Sequence, residues 1–173
     1  MALEIELKFL DINLLKIIRK LEEIGAQQKY KTTLYNATFE SDMVSPRDSS
    51  KQFLRVRKVD DTVFLTYKAP AQDSPLTIRE EIEMEVDDFE NTITLFEALG
   101  FRTIRYTKKR THFELGKIHF EIDDWGFIPP FLEIETHSKE DMVHICQQLG
   151  LNINEGRKGM ITEIYPEKFL ERP

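Results

Sequence analysis

Charged residues recur at every second position, in one segment after another of this 173-residue chain, and that spacing constrains the fold more than any other feature. Side chains alternate across a β-strand, so residues two apart share a face. Glu4, Glu6 and Lys8 fall on one side of a first strand, and Leu3, Ile5, Leu7 and Phe9 on the other. The same division sets Arg55 and Arg57 against Leu54 and Val56, and Thr66 and Lys68 against Leu65 and Tyr67. It sets Arg79, Glu81, Glu83 and Glu85 against Ile78, Ile82, Met84 and Val86. It sets Lys108, Arg110, His112 and Glu114 against Phe113 and Leu115. It continues with His119, Glu121 and Asp123 against Ile118, Phe120 and Ile122, and with Glu133 and Glu135 against Leu132 and Ile134. An ordinary half-exposed sheet accounts for any one such strand. Solvent-facing sheet surfaces favour Thr, Ser, Lys and Gln, which need no partners. Arg and Glu in pairs on strand after strand fit better a sheet that curls and gathers the charges inside, its apolar side outward under helices.

Strands are predicted over 2–10, 28–40, 52–59, 62–69, 76–86, 102–115, 117–124 and 131–137. Asp60-Asp61 and Gly116 mark tight turns. Three segments have helical periodicity. The first carries Ile12, Leu14, Leu15, Ile17, Ile18, Leu21 and Ile24, with Asp11 as its N-cap and Gly25 as its stop. The second, from about Asp87 to Leu99, carries Phe89, Ile93, Leu95, Phe96 and Leu99 and stops at Gly100. The third, from about Ser138 to Leu149, stops at Gly150, and Ser138 with Asp141 has capping-box spacing. Glu4-Ile5-Glu6, Glu81-Ile82-Glu83 and Glu133-Ile134-Glu135 each precede one of these helices. Three strand–helix units of one design imply a pseudo-symmetric sheet. The length suits one domain, 1–173, of α+β class.

The face itself indicates a chemistry. It holds ten acids (Glu4, Glu6, Glu81, Glu83, Glu85, Glu114, Glu121, Asp123, Glu133 and Glu135) and seven bases (Lys8, Arg55, Arg57, Lys68, Arg79, Lys108 and Arg110), a net of −3. Two divalent cations would bring such a face to about +1, a balance that admits a triphosphate of charge about −4. Carboxylate oxygens suit Mg²⁺ or Mn²⁺, and Arg suits bidentate phosphate contact. His112 and His119 read as hydrogen-bonding members of the wall, with metal ligation the alternative. Trp125, Phe127, Pro129, Pro130 and Phe131 read as a packed aromatic loop, with base stacking the alternative.

Other classes fall away. A net charge of −7 is a poor match for duplex nucleic acid. No apolar run approaches the ~20 residues of a membrane span. Cys146 is the only cysteine, so an internal disulfide framework and a Cys-rich zinc site are excluded. No P-loop, dinucleotide-binding glycine run or nucleophile elbow is present. Met1 leads directly into a strand, so a cytoplasmic protein without a signal peptide is expected.

Six elements in order resemble the CYTH domain, the fold of triphosphate tunnel metalloenzymes. They are Glu4-x-Glu6-x-Lys8, Leu54-Arg55-Val56-Arg57, Thr66-Tyr67-Lys68, Arg79-x-Glu81-x-Glu83, Lys108-x-Arg110, and Asp123 with Glu133-Ile134-Glu135. The resemblance covers nearly the whole chain. It implies an eight-stranded antiparallel β-barrel, open at both ends, with amphipathic helices outside. It implies a small-molecule triphosphate held by Lys8, Arg55, Arg57, Lys68, Arg79, Lys108 and Arg110. Mg²⁺ or Mn²⁺, two ions in all, is implied on Glu4, Glu6, Glu81, Glu83, Asp123, Glu133 and Glu135. Glu6, Lys8, Arg57 and Lys68 form the implied catalytic core. The implied reaction is that of a class IV adenylyl cyclase, ATP to cyclic AMP and pyrophosphate. The alternatives are hydrolysis of inorganic, nucleoside or thiamine triphosphate and, third, an inactive nucleotide- or polyphosphate-binding module. Leu before Lys8 resembles the cyclase branch. A monomer or homodimer, with no membrane and no duplex nucleic acid partner, is expected. Two places depart from the family's pattern. The second strand, Thr33 to Thr38, lacks the usual acids, and the tail, Arg157 to Tyr165, lacks the usual Lys-Ser-Tyr element.

Overall fold

Eight strands pair in the order β1-β5-β4-β3-β2-β6-β7-β8, every pair antiparallel, and β8 returns to β1 to close a barrel. This computed structural model describes residues 2–170. The strands are β1 (Ala2–Phe9), β2 (Gln27–Glu40), β3 (Phe53–Val59), β4 (Thr62–Lys68), β5 (Thr77–Val86), β6 (Arg102–Leu115), β7 (Ile118–Asp124) and β8 (Phe131–Thr136). The α+β barrel implied by the alternation is therefore present.

Register decides which side chains meet, because a slip of one residue turns a whole strand inside out. Arg55 lies opposite Thr66, Thr66 opposite Glu83, and Lys68 opposite Glu81. Glu4 faces Arg79, Glu6 faces Glu135, and Lys8 faces Glu133. Glu121 faces both Glu133 and His112, and Asp123 faces Arg110. The charged positions of each strand thus share the inner surface. Tight turns hold these registers. Asp60 (φ 51°) and Gly116 (φ 60°) take left-handed conformations that Asp tolerates and Gly favours.

Two connections are not hairpins. β1 and β2 are joined by α1 (Leu14–Glu23), and β5 and β6 by α2 (Phe89–Ala98); α3 (Lys139–Leu149) follows β8. The outer residues Ile5, Leu7, Phe9, Phe120, Leu132 and Ile134 pack against Ile17 and Leu21 of α1 and Met142, Ile145, Cys146 and Leu149 of α3. Each such buried side chain is worth about 1.5–3 kcal/mol. A second cluster, Phe39, Val56 and Val63 with Ile93, Phe96 and Phe101, lies under α2. All three helices stop at glycines of positive φ, Gly25, Gly100 and Gly150.

The structure corrects several details. Asn13, not Asp11, caps α1, its side chain accepting from the Lys16 N–H, while Asp11 sits in the turn before it. Leu15 (71% exposed), Leu95 and Leu99 lie off the packed faces of their helices. Leu3, Ile82 and Met84 on the outer wall are also exposed, so the helices cover the barrel only in part. The tail, unassigned in the sequence reading, forms a 3₁₀ turn (Ile153–Glu155) and two short helices, α4 (Ile161–Ile164) and α5 (Pro166–Leu170). Among the described residues no helix is long and apolar enough to cross a membrane.

Candidate active site

The inner surface encloses a cavity of about 990 Å³, and every residue assigned above to phosphate or metal lines it. The strands alternate in direction, so one end of the barrel carries the β3–β4 and β6–β7 turns. The other carries the loops 41–52, 69–76 and 125–130. The tail straps this second end. Arg157 exchanges two backbone hydrogen bonds with Lys8, Lys158 Nζ donates to the Ser74 carbonyl, and the Gly159 N–H donates to Thr77. Glu163 accepts from the Ser49 N–H and hydroxyl, and the Thr162 hydroxyl donates to the Pro46 carbonyl. Met160, Ile161, Thr162 and Phe169 thereby border the cavity.

Charge inside the tunnel is not evenly mixed. Along β1, β8 and the edge of β5, each ammonium is bracketed by carboxylates. Lys8 Nζ lies 2.7 Å from Glu6 Oε1 and 2.8 Å from Glu133 Oε2. Lys68 Nζ lies 2.5 Å from Glu4 Oε1, 3.0 Å from Glu81 and 4.0 Å from Glu6. Burial disfavours each charge, but the opposite charges outweigh it. Glu6 is held at about 2 by Lys8 and Lys68. Lys8 and Lys68 are held above the usual lysine range, chiefly by Glu133 and Glu4 respectively. Three acids are the exceptions. Burial raises Glu133 despite the pull of Lys8, with Glu6 and Glu121 adding repulsion. Glu135 has no hydrogen bond or ion pair among the described residues, and burial, against the pull of Lys68, raises it to about 7. Burial likewise lifts Glu4 well above the carboxylate range despite its contact with Lys68, with Glu6, Glu135 and Glu81 adding repulsion.

Along β3 and β6 the bases crowd one another. Arg110 grips Asp123 with two bonds, 2.6 and 2.7 Å, and pairs with Glu121. Lys108 lies 2.5 Å from the same Asp123 and over the Trp125 ring. Asp123 is therefore saturated by bases. Its pull does not rescue Lys108, which burial and then Arg110 lower to about 8. Arg55 is 3.2 Å from the Thr66 hydroxyl, which donates to Glu83 at 2.7 Å. Arg57 makes none of the wall's ion pairs; burial, then Arg55 and Arg110, lower it to about 10. The Nε–H groups of Arg55, Arg57 and Arg79 are buried without an acceptor. An unpaired buried donor costs about 1–3 kcal/mol, so three such donors around one cavity favour a ligand with hydrogen-bond acceptors there.

Across residues 2–150 the sequence matches the model of the CYTH domain. The chain belongs to the CYTH family. Among curated proteins it is 27% identical to one from Methanocaldococcus jannaschii named "Putative adenylate cyclase MJ0240", over 95% of each chain. Among solved structures, PH1012 of Pyrococcus horikoshii is 29% identical, with TM-score 0.78 over 92% of this chain and 98% of that one. The Hippeastrum protein HpAC1, described as having a dominant triphosphatase activity, shares the fold at TM-score 0.62 and 14% identity over the full length of both.

All of the implied site residues line the one cavity, and the structure places others beside them. Tyr106 stacks on Trp125 with centroids 4.7 Å apart, and Phe127 and Phe169 meet the indole edge-on. That is the packed-loop arrangement. Tyr106 shares the parity of Lys108 and Arg110, so the alternation on β6 already placed it inside. Nothing local marks Met160 or Thr162, which reach the cavity only through the strap. The two atypical segments differ in consequence. In β2 the inner positions Asn36 and Thr38 lie beside Arg57 and Arg55 and add no charge. The tail replaces the usual element with Glu163 anchored on Ser49.

Proposed function

We propose that this CYTH protein is a divalent-metal-dependent enzyme acting on a triphosphate inside the tunnel, with the chemistry of a class IV adenylyl cyclase. The observation that carries the reading is the set of unsatisfied guanidinium Nε–H donors of Arg55, Arg57 and Arg79, which line the same cavity as the crowded carboxylates of β1, β5 and β8. Arg55, Arg57, Arg79, Lys108 and Arg110 would hold the phosphate oxygens, with Lys8 and Lys68 completing the charge at the carboxylate wall. The donor set fits a hard cation. Its ligands would be the oxygens of Glu4, Glu6, Glu81, Glu83, Glu133 and Glu135, and Glu135 has no internal partner to lose. Asp123, gripped by Arg110 and Lys108, acts in this reading as an anchor for the bases. A bound Mg²⁺ or Mn²⁺ would neutralise phosphate charge and favour attack at phosphorus.

The protein's part is positioning and charge neutralisation. The bases align the triphosphate, the wall excludes bulk water, and a cavity carboxylate accepts the proton of the nucleophile. For ATP the ribose 3′-oxygen attacks the α-phosphorus, its proton passes to the carboxylate, and pyrophosphate leaves with the electrons of the broken P–O bond. The name of the M. jannaschii relative supports this reaction. One observation favours hydrolysis instead. Trp125 is already engaged by Tyr106, Phe127, Phe169 and Lys108, and a triphosphatase needs no open aromatic face for a base. Incubation of ATP, and separately of inorganic triphosphate, with Mn²⁺ decides between them. Cyclic AMP and pyrophosphate in equal amounts support the cyclase, and orthophosphate supports the triphosphatase. No turnover of either, or full turnover in excess chelator, overturns the proposal.

A further inference from the structure

At the end of the barrel away from the strap, the β6–β7 hairpin brings together three groups of another kind. Glu114 and His119 lie opposite each other two positions from the turn, and His112 lies one inner position further down β6. His112 Nε2 is 3.2 Å from Glu114 Oε1 and 3.5 Å from His119 Nδ1, and His119 Nδ1 is 3.9 Å from the same Glu114 oxygen. A point equidistant from these three atoms lies about 2.1 Å from each, within the range of Zn–N and Zn–O bonds.

The surroundings orient the site. The His112 ring stacks on Tyr30, centroids 4.9 Å apart and planes 10° from parallel, and the residue is only 7% exposed. Its Nδ1 is buried without a hydrogen-bond partner among the described residues, and Glu121 Oε1 lies 3.7 Å from it. Arg110 holds that carboxylate in place. With the ring proton on Nδ1, the side of Glu121, the lone pair of Nε2 is available toward Glu114 and His119. A carboxylate behind a histidine is the usual outer partner of a metal-bound imidazole.

We propose that His112, Glu114 and His119 form a second metal site, selective for a borderline divalent ion of the Zn²⁺ type. Two imidazoles and one carboxylate suit such an ion better than Mg²⁺, which takes oxygen ligands. Three protein ligands leave a coordination position open, as in catalytic rather than structural zinc sites. All three residues line the cavity. The site is distinct from the carboxylate wall and does not depend on which triphosphate reaction the tunnel performs.

Co²⁺ added to chelator-stripped protein tests the proposal, because its visible d–d bands report nitrogen ligation and low coordination number. One equivalent is expected to give an intense band that Zn²⁺ abolishes. His119→Ala and Glu114→Ala, both at positions about a third exposed, should each weaken Zn²⁺ binding by at least about 100-fold, beyond the usual cost of losing an outer partner. Glu81→Gln, on the carboxylate wall, should leave the band unchanged. Absence of the band, its survival in both hairpin variants, or its loss in Glu81→Gln would each overturn the site.

Discussion

The two walls of the tunnel hold similar charges in opposite conditions. On the carboxylate wall, Lys8 and Lys68 have more partners than they need, and each is held as a cation. On the β3–β6 wall, Arg57 has no ion pair among the described residues, and Lys108 is depressed in spite of Asp123. Lys8 is thus part of the folded structure's own charge balance, whereas Arg57 is a charge the empty protein keeps at a cost. A group with no protein partner has the most to gain from a ligand, so the proposed function places binding strength where internal satisfaction is poorest. The same division separates residues that hold the barrel together from residues that make it useful.

The largest effect that can break this comparison is on stability. Lys8→Met removes the cation shared by Glu6 and Glu133 and leaves two largely buried carboxylates without it. Breaking a buried pair in this way costs about 3–5 kcal/mol. Denaturant unfolding of the ligand-free protein should show that loss. A Lys8→Met variant as stable as the parent would mean that the carboxylate wall is not internally compensated.

Arg57→Leu should behave in the opposite sense. It removes a crowded cation with no ion pair of its own, so the ligand-free variant should be at least as stable as the parent in the same measurement. Its affinity for triphosphate should fall at least tenfold, about 1.4 kcal/mol. Calorimetric titration with inorganic triphosphate gives the second number. A variant that lost stability and kept its affinity would invert the roles assigned to the two walls.

This contrast between neighbours lay beyond the alternation pattern, although the barrel did not. Period-two spacing is local, so the inner positions of Glu4, Glu6 and Lys8, or of Lys108 and Arg110, follow from adjacent residues. Leu54-Arg55-Val56-Arg57 presents two equivalent arginines. Only cross-strand pairing gives Arg55 the Thr66–Glu83 pair and leaves Arg57 beside Phe64. The strap was hidden for a related reason. Glu163, Thr162 and Lys158 find partners at Ser49, Pro46 and Ser74, more than eighty residues away in sequence. The start of α1 was ambiguous at short range, because Asp11 and Asn13 are both competent caps; the side chain that reaches Lys16 N decides it. The hairpin histidines were visible as members of the inner face, but the two-residue separation that brings their nitrogens together depends on the turn at Gly116.

The smallest expected effect is a pH dependence, and it tests whether the crowded wall is where the anion binds. Burial first, then Arg110 and Arg57, lower Lys108 to about 8, below the ordinary lysine value of 10.5. Below pH 8 the side chain is charged in both folded and unfolded protein, and the folded state bears the full cost. Between pH 8 and 10.5 the unfolded chain keeps a proton that the folded chain has released, so this residue's contribution to stability rises with pH. Triphosphate binding has the opposite sign. An anion beside Lys108 favours the ammonium and lifts its pKa back, so affinity is greatest when the proton is already present. Affinity should be nearly flat below pH 7 as far as this group is concerned, and should weaken about fivefold between pH 8 and 9. Metal-free calorimetry with ATP isolates the term, because the last phosphate proton of a triphosphate monoester is lost below this window, whereas that of inorganic triphosphate is lost within it. In Lys108→Met the slope between pH 8 and 9 should vanish while binding weakens at neutral pH. A slope that persists in that variant would assign the titration to another group and remove Lys108 from the anion site.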